Sequence, residues 1–579
     1  MSEQRQYDEP DEPKELQVPK GPQELEDEPK KSLIWPYAIL LIMVFGFAVL
    51  DFHKSVFHSF NCTTSSLAAT NRASNGLYMD NQVILRGLGD DVTKVAVKYG
   101  LIMLEGCDLS YLNTRVKSNQ NLQERQTTSS VMRLYEIPPE SSFEAVLSQI
   151  EKDGKEGKES TELELEDEVQ VDPNYLTRLA DQTRDPCIRP MDSGGTGGGP
   201  FGDPYIPDPE TDPQTGINEA DQAQDAFMDQ WAFGPRGINL PDSPRFKGSG
   251  VRVAVFDTSP YRNRLPFLRI IRIAQPSSMW LIGWDATGPT TVSNHGLFVA
   301  GLIHRIAPNS NIHMVQVLDN NGCGQLWVLN KALEDYTSRI SRWSGNLNRT
   351  VINMSLGIKK ANPQDRDDLD TLSKAIQDAY DQGAVIVAAA GNDSPGKDED
   401  DRIIDPMPMQ YPARFDDIVI GVAATNIHGE RSCYSNEGVI AAPGGDGRFT
   451  VTNDDSTTEE KCEPRADTWN QSPGPNGGPI CTDMANCEYG LVSLGQTSYG
   501  PQYMYWSGTS FATPLVSGLA ALAYEKTGGN QDLVRCLIEE GGSVKRAGLL
   551  TPDSEMGWGI INVSRSLDLN QRELECPPR

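Results

Sequence analysis

Residues 385–392 read VIVAAAGN. Six apolar residues in a row cannot alternate between core and solvent, so a strand built from them is buried on both faces, the condition of a parallel strand covered by helices on either side. The surrounding sequence repeats the pattern. VRVAVFD (251–257), NIHMVQVLD (311–319), TVINMSLG (350–357) and IVIGVAAT (418–425) are further apolar runs, and LFVAGLIHRIA (297–307), LWVLNKALEDYTSRI (326–340) and DLDTLSKAIQDAYDQG (368–383) are helical patterns between them. Strands separated by helices predict an α/β fold, a mostly parallel sheet flanked by helices, over residues 230–567. Residues 443–505, rich in turn-formers and carrying Cys462, Cys481 and Cys487, read as a surface insertion that disulfides could staple.

The rest of the 579-residue chain divides by composition. Residues 1–31 hold ten acids, five bases and five prolines with little apolar surface to bury, so a disordered acidic tail is expected. Residues 33–50, LIWPYAILLIMVFGFAVL, are uncharged over 18 positions, near the ~20 needed to cross a bilayer, and predict one transmembrane helix. Lys30 and Lys31 precede it and Asp51 follows, which places the tail in the cytoplasm and the remainder outside. A cleaved signal peptide is the competing reading, against which stand the long polar lead-in and the lack of a small-residue cleavage site near Ala48. Residues 80–175 alternate short strands with two amphipathic helical patterns and read as a small α+β domain whose last strand ends at Tyr175. Residues 176–220, including GGTGGGPFGDP at 194–204, read as a linker.

Asp and Glu number 81 against 51 Lys and Arg, a formal charge of −30 that opposes binding to nucleic acid. All ten cysteines lie beyond the apolar segment, as an oxidising compartment would have it, and no C-x-x-C pair suggests structural zinc.

In a parallel sheet, functional groups gather beyond the carboxyl ends of the strands. Asp257 ends one strand, His295 opens a helical pattern, Asn392 follows VIVAAAG, and Ser510 stands where the loop of SGTSFATPLVSG enters a long apolar helix. Singly, each has a plain structural role as cap or turn former. Jointly they supply what acyl transfer requires. A serine hydroxyl needs an imidazole to take its proton, the imidazole needs an anion on its other nitrogen, and the oxyanion needs fixed donors. Asn392 and the backbone N–H of Ser510 at a helix start would be those donors.

In order and wording these segments resemble the subtilisin-like serine proteases, the subtilases, over about Gln230 to Leu567. Gly508, Thr509, Ser510, Ala512 and Pro514 match the family's nucleophile motif, and Ala390, Gly391 and Asn392 resemble its oxyanion segment. Ser355, Leu356 and Gly357 look like the strand that pairs with bound substrate. The resemblance implies a serine endopeptidase with Asp257, His295 and Ser510 as triad and Asn392 in the oxyanion hole. Substrate would lie along Ser355, Leu356, Gly357, Ala390 and Gly391. Two departures stand out. Thr258-Ser259-Pro260 follows the acid, and Leu297-Phe298 follow His295-Gly296, a change expected to alter helix packing more than proton transfer.

The segment VQVDPNY (169–175) is similar to the closing strand of subtilase propeptides, so 80–175 is expected to assist folding and to inhibit the enzyme intramolecularly. A cut between Tyr175 and about Asp229 would then release the catalytic domain from its anchor. A separate outer binding module is the alternative for 80–175, and an inactive peptide-binding scaffold is the alternative for the whole. The chemistry requires no cofactor. DSPGKDEDDRIID (393–405) is open to two readings, an oxygen-rich loop that holds structural calcium on the catalytic domain or simply a solvated charge run, with no metal ligand assignable. The N-x-S/T patterns at Asn353 and Asn392 fall on active-site segments and read as accidental.

Overall fold

The computed structural model describes residues 62–64, 73–74, 78–108, 130–138, 141–156, 163–179, 225–258, 271–272, 292–319, 322–358, 369–394, 405–445, 448–452, 458–462, 490–497, 500–549 and 551–570. The expected tail (1–31), the transmembrane segment (33–50), the glycine-rich part of the linker and the segment 395–404 lie outside them. Among the described residues no helix is long and apolar enough to cross a membrane.

An N-terminal antiparallel sheet comes first in the chain. It is built from β1 (Cys62–Thr64), β2 (Ala73–Ser74), β3 (Tyr78–Leu88), β4 (Ile102–Asp108), β5 (Ser130–Glu136) and β6 (Gln170–Leu179), with α1 (Gly89–Lys98) and α2 (Phe143–Glu156) against one face. Its side chains alternate as a two-residue period demands. Val83 and Leu85 of β3 join Val92 and Val95 of α1 and Ile150 of α2 in one core. Ile84, between them, points to the other face and enters a core shared with the second half of the chain.

That half carries a seven-stranded parallel sheet of β7 (Arg252–Asp257), β8 (Ile271–Arg272), β9 (Asn311–Gln316), β11 (Thr350–Met354), β13 (Ala384–Ala389), β14 (Val419–Thr425) and β15 (Ile440–Pro443), in the order β15-β14-β13-β11-β7-β9-β8. Strands β11, β13 and β14 are buried at every position. Along β13 the side chains alternate between two cores. Val385 and Val387 pack on the side of α3 (His295–Ile306) and α6 (Thr509–Thr527). Ala384, Ile386 and Ala388 pack on the side of α4 (Leu326–Ser344) and α5 (Asp370–Asp381). The unbroken apolar runs are therefore the signature of helices on both faces.

Two expectations from sequence are corrected. Strand β6 does not stop at Tyr175 but runs to Leu179, because it finds ladder partners on both edges. Residues 176–178 pair with β10 (Cys323–Gln325), and Arg178 and Leu179 pair with β12 (Leu356–Gly357), all antiparallel. Residues 443–505 are not wholly a surface insertion either. They include an antiparallel pair, β16 (Arg448–Thr452) with β17 (Thr458–Cys462), and end in the hairpin of β18 (Leu491–Thr497) and β19 (Gly500–Trp506). In that hairpin Leu491, Val492, Met504, Tyr505 and Trp506 are buried in the core beside α3 and α6. The turn-formers that precede it in sequence masked its apolar alternation.

The contact between the N-terminal sheet and the parallel-sheet half is polar as well as apolar. The residues preceding α4 and α5, Gln325 and Leu369, offer their helices no side-chain cap. Strand β6 supplies both: Asn174 Oδ1 accepts the N–H of Trp327 (3.0 Å), and Asp172 Oδ2 accepts the N–H and hydroxyl of Thr371 (2.7 and 2.6 Å). From β3, the buried Arg86 reaches Glu334 of α4 (2.5 Å) and Asp378 of α5 (2.7 Å).

Candidate active site

Asp257 is the last residue of β7, and β7 is a central strand, so its carboxylate is carried to the carboxyl edge of the sheet and fully buried. Both carboxylate oxygens face Nδ1 of His295, at 2.8 and 2.9 Å. The imidazole opens α3 and is itself fully buried. Thr258, which the sequence did not single out as functional, ties the two together. Its N–H donates to Asp257 Oδ1 (2.6 Å), its hydroxyl donates to the carbonyl of Ser293 (3.0 Å), and the same hydroxyl oxygen accepts the N–H of Gly296 (2.9 Å). Acid and imidazole are thus fixed by one side chain bonded to each flanking segment.

Around the imidazole stand Trp506, edge-on at 5.2 Å between ring centroids, and Phe511 at 5.0 Å. Phe298, one of the two departures noted in sequence, packs on Phe511 at 4.6 Å and on Trp506 at 5.8 Å. It stabilises the aromatic wall behind the base and makes no bond to it.

Ser510 lies in the first turn of α6, and its placement depends on Pro514. A proline at this position has no N–H for the carbonyl four residues earlier, which is that of Ser510. That carbonyl instead accepts the hydroxyl of Ser355 (2.8 Å). Ser355 in turn accepts from Asn353 Nδ2 (3.0 Å), and Asn353 Oδ1 accepts from the hydroxyl of Ser517, two turns along α6 (2.9 Å). Helix and strand are locked at the nucleophile by a buried chain of hydrogen bonds. The Ser510 hydroxyl donates to the carbonyl of Ser355 at 3.2 Å.

Asn392 completes the group. Its Oδ1 accepts the N–H of Thr509 (3.1 Å), while its Nδ2, buried, has no hydrogen-bond partner among the described residues. Thr509 Oγ1 also accepts the N–H of Gly391 (3.2 Å). Gly391 has φ 109°, a conformation suited to glycine, and a Cβ there would stand 2.6 Å from Asn436 Nδ2.

Of the residues expected to touch substrate, Leu356 and Gly357 form β12 and already pair with a peptide strand, β6. Ser355 bridges that strand to Ser510. The carbonyl of Ala390 accepts the N–H of Gln410 (2.8 Å), so Ala390 builds the wall of the site. The oxygen-rich segment 393–405 lies mostly outside the described residues. Among those described, no group of three or more His, Cys, Asp or Glu side chains could hold a metal ion.

A parallel α/β sheet with an acid–imidazole pair and a serine on adjoining helix starts, beside an amide with a free donor, has the parts for acyl transfer through a serine. The model of the subtilase family matches residues 248–559, more than half of the chain, and the chain belongs to that family. It is 30% identical over 287 residues to a thermostable alkaline protease of Halalkalibacterium halodurans, covering 48% of this chain and 57% of that protein. With Subtilisin Savinase of Lederbergia lenta it shares 26% identity over 309 residues, 50% of this chain and 84% of that one. Among solved structures, fervidolysin of Fervidobacterium pennivorans superposes with a TM-score of 0.46 at 17% identity, covering 89% of this chain and 66% of that chain. The match spans little more than half the length of the alkaline protease.

Proposed function

We propose that the chain is a serine endopeptidase made as a membrane-anchored precursor facing out of the cytoplasm. The observation that supports the reading most is the buried Asp257–His295 pair, with Asn392 bonded to the N–H of Thr509, the neighbour of Ser510. The Ser510 hydroxyl turns from the Ser355 carbonyl to Nε2 of His295, gives up its proton and attacks a peptide carbonyl carbon. Asp257, bonded to Nδ1, holds the ring so that Nε2 is the basic nitrogen and stabilises the imidazolium that forms. Negative charge on the carbonyl oxygen is met by Asn392 Nδ2 and the N–H of Ser510. The tetrahedral intermediate collapses to an acyl-enzyme as His295 returns the proton to the departing amine. Water then enters and bonds to the acyl carbon as His295 takes its proton; the bond to the Ser510 oxygen breaks as His295 returns that proton to it, and the acid product leaves. The substrate lies as a strand on Leu356–Gly357, and no cofactor enters these steps.

The N-terminal sheet is read as a propeptide that assists folding and blocks the site. Three features support this: the helix caps given by Asp172 and Asn174, the buried Arg86, and the pairing of β6 with β10 and with β12, the strand that follows Ser355. The first cut therefore falls shortly after Leu179, and it separates the catalytic part from the anchor at 33–50. An oxidising location is supported by Cys107, Cys323, Cys433 and Cys536, none of which carries a free thiol.

Cell fractionation with N-terminal sequencing tests processing. The wild type should appear free of membrane, with an N-terminus that lies beyond Leu179 and no later than Asp229. Ser510→Ala should stay full length and membrane-bound. A full-length, membrane-bound and active wild type would rule out release while leaving the protease reading intact.

A further inference from the structure

The acceptor pattern N-x-S/T occurs six times in the chain, at Asn61, Asn348, Asn353, Asn392, Asn470 and Asn562. Asn61 and Asn470 lie outside the described residues, and the fold sorts the other four. Asn353 and Asn392 are buried beside the nucleophile, where their carboxamides join the bonds already described. Asn562 is 6% exposed and caps the short helix Val563–Asp568, its Oδ1 accepting the N–H of Arg565 (2.9 Å). Asn348 is exposed, in the turn that joins α4 to β11.

That turn holds its acceptor outward. Arg252 of β7 clasps both ends of the tripeptide, donating from Nη2 to the carbonyl of Asn348 (3.0 Å) and from Nε to the hydroxyl of Thr350 (3.1 Å). Between them Arg349 has φ 60°, and its carbonyl accepts the N–H of Arg252 (2.9 Å). The carboxamide oxygen of Asn348 is turned to Gly383, which has φ 97° and whose missing Cβ would fall 2.0 Å from that oxygen. On the same connection Trp343 is 89% exposed, so this corner of the fold stands open to solvent. The turn precedes β11, and the far end of β11 leads to Ser355, so a large group on Asn348 stands at the edge of the sheet away from Ser510.

Resting on the outward-facing reading above, we propose that Asn348 is a site of N-linked glycosylation. The donor is a polyprenyl diphosphate-linked oligosaccharide, met as the chain is exported. A bond forms between Nδ2 of Asn348 and the anomeric carbon of the sugar, the bond from that carbon to the diphosphate oxygen breaks, and the proton that Nδ2 gives up goes to the diphosphate. The product is a bulky, soluble group that needs a surface position. At Asn348 it extends from the turn into solvent. At Asn353 or Asn392 it would break the hydrogen bonds that hold the helix of Ser510 to the sheet, and at Asn562 it would remove a helix cap.

The test uses the protein isolated from its own cells. Peptide:N-glycosidase in heavy-oxygen water turns each glycosylated asparagine into an aspartate that carries the isotope, and peptide mass spectrometry locates it. Asn348 should be converted, while Asn353, Asn392 and Asn562 should remain asparagine. On a gel, Asn348→Gln should lose the mass of one glycan, and Thr350→Ser, which keeps the acceptor pattern, should retain it. Unconverted Asn348 in protein that fractionation finds outside the cytoplasm overturns this assignment alone, as does conversion at Asn353, Asn392 or Asn562 in its place. Unconverted Asn348 in protein whose catalytic part is found in the cytoplasm overturns the assignment and the outward-facing reading together.

Discussion

Asn392 is held by its oxygen: Oδ1 accepts the N–H of Thr509, the neighbour of Ser510, at 3.1 Å, which leaves the buried Nδ2 as a donor without a partner among the described residues. The orientation is thus set by the helix that bears Ser510, so that in the proposed mechanism no reorganisation is needed when charge develops. Asn392→Ala should lower kcat on the order of 10²- to 10³-fold with KM nearly unchanged, a magnitude carried over from subtilisin itself. Steady-state kinetics on one peptide decides it, and a rise in KM at constant kcat would make Asn392 a ground-state binding group instead.

Thr258 touches neither substrate nor the departing proton, yet it ties Asp257 to the segment that starts α3. Thr258→Val keeps the shape and removes the hydroxyl. It should reduce kcat on the order of 10- to 10²-fold, the cost of small misplacement at a reacting centre. Thr258→Ser, which restores the hydroxyl, should recover most of the loss. If Ser fails to rescue, packing rather than the hydrogen bonds is what the threonine supplies.

The sheet and its flanking helices were legible because runs such as VIVAAAGN admit no exposed face, and so were the places of Asp257 at a strand end and of His295 and Ser510 at helix starts. What could not be read were features that depend on a second segment. The extension of β6 to Leu179 exists because Cys323–Gln325 and Leu356–Gly357 flank it, and neither is near in sequence. The β18–β19 hairpin hid behind turn-formers, and the role of Trp506 against His295 needs the fold. Thr258 carried no motif. Pro514 did leave a signal, since a proline four residues after Ser510 frees that serine's carbonyl.

The caps on α4 and α5 make a stability claim. In the uncut Ser510→Ala protein, Asp172→Ala and Asn174→Ala should each cost about 0.5–2 kcal/mol, the usual worth of a helix cap. Arg86→Met should cost more, about 3–5 kcal/mol, because it takes this cation from the buried Glu334 and leaves Asp378 with Lys374 alone. Urea unfolding measures all three, and wild-type midpoints for Asp172→Ala and Asn174→Ala would remove the capping role.

Glu525, near the end of α6, accepts the N–H groups of Lys247 (2.7 Å), Gly248 (2.8 Å) and Ser249 (3.0 Å). Partial burial acts to raise its pKa, but the hydrogen bonds outweigh it and hold the carboxyl below the ordinary glutamate value. A depressed folded value means that this stabilisation is present above the ordinary glutamate range and is lost as pH falls through the lower, folded value. Glu525→Gln should therefore lower the melting temperature at neutral pH and flatten its decline in acid. An equal loss at neutral and strongly acid pH would show that charge at this site contributes nothing.

The proposed reaction rests on Ser510 being a nucleophile activated by His295. A fluorophosphonate probe reports that chemistry without a substrate, by forming a covalent bond at the activated hydroxyl. Wild-type protein should be labelled at Ser510, Ser510→Ala should not be labelled, and His295→Ala should lose nearly all labelling, as peptide turnover in each variant falls on the order of 10⁶-fold. A folded wild type that remains unlabelled, or a His295→Ala protein labelled as fast as wild type, would contradict the triad and leave the peptide-binding scaffold as the better reading.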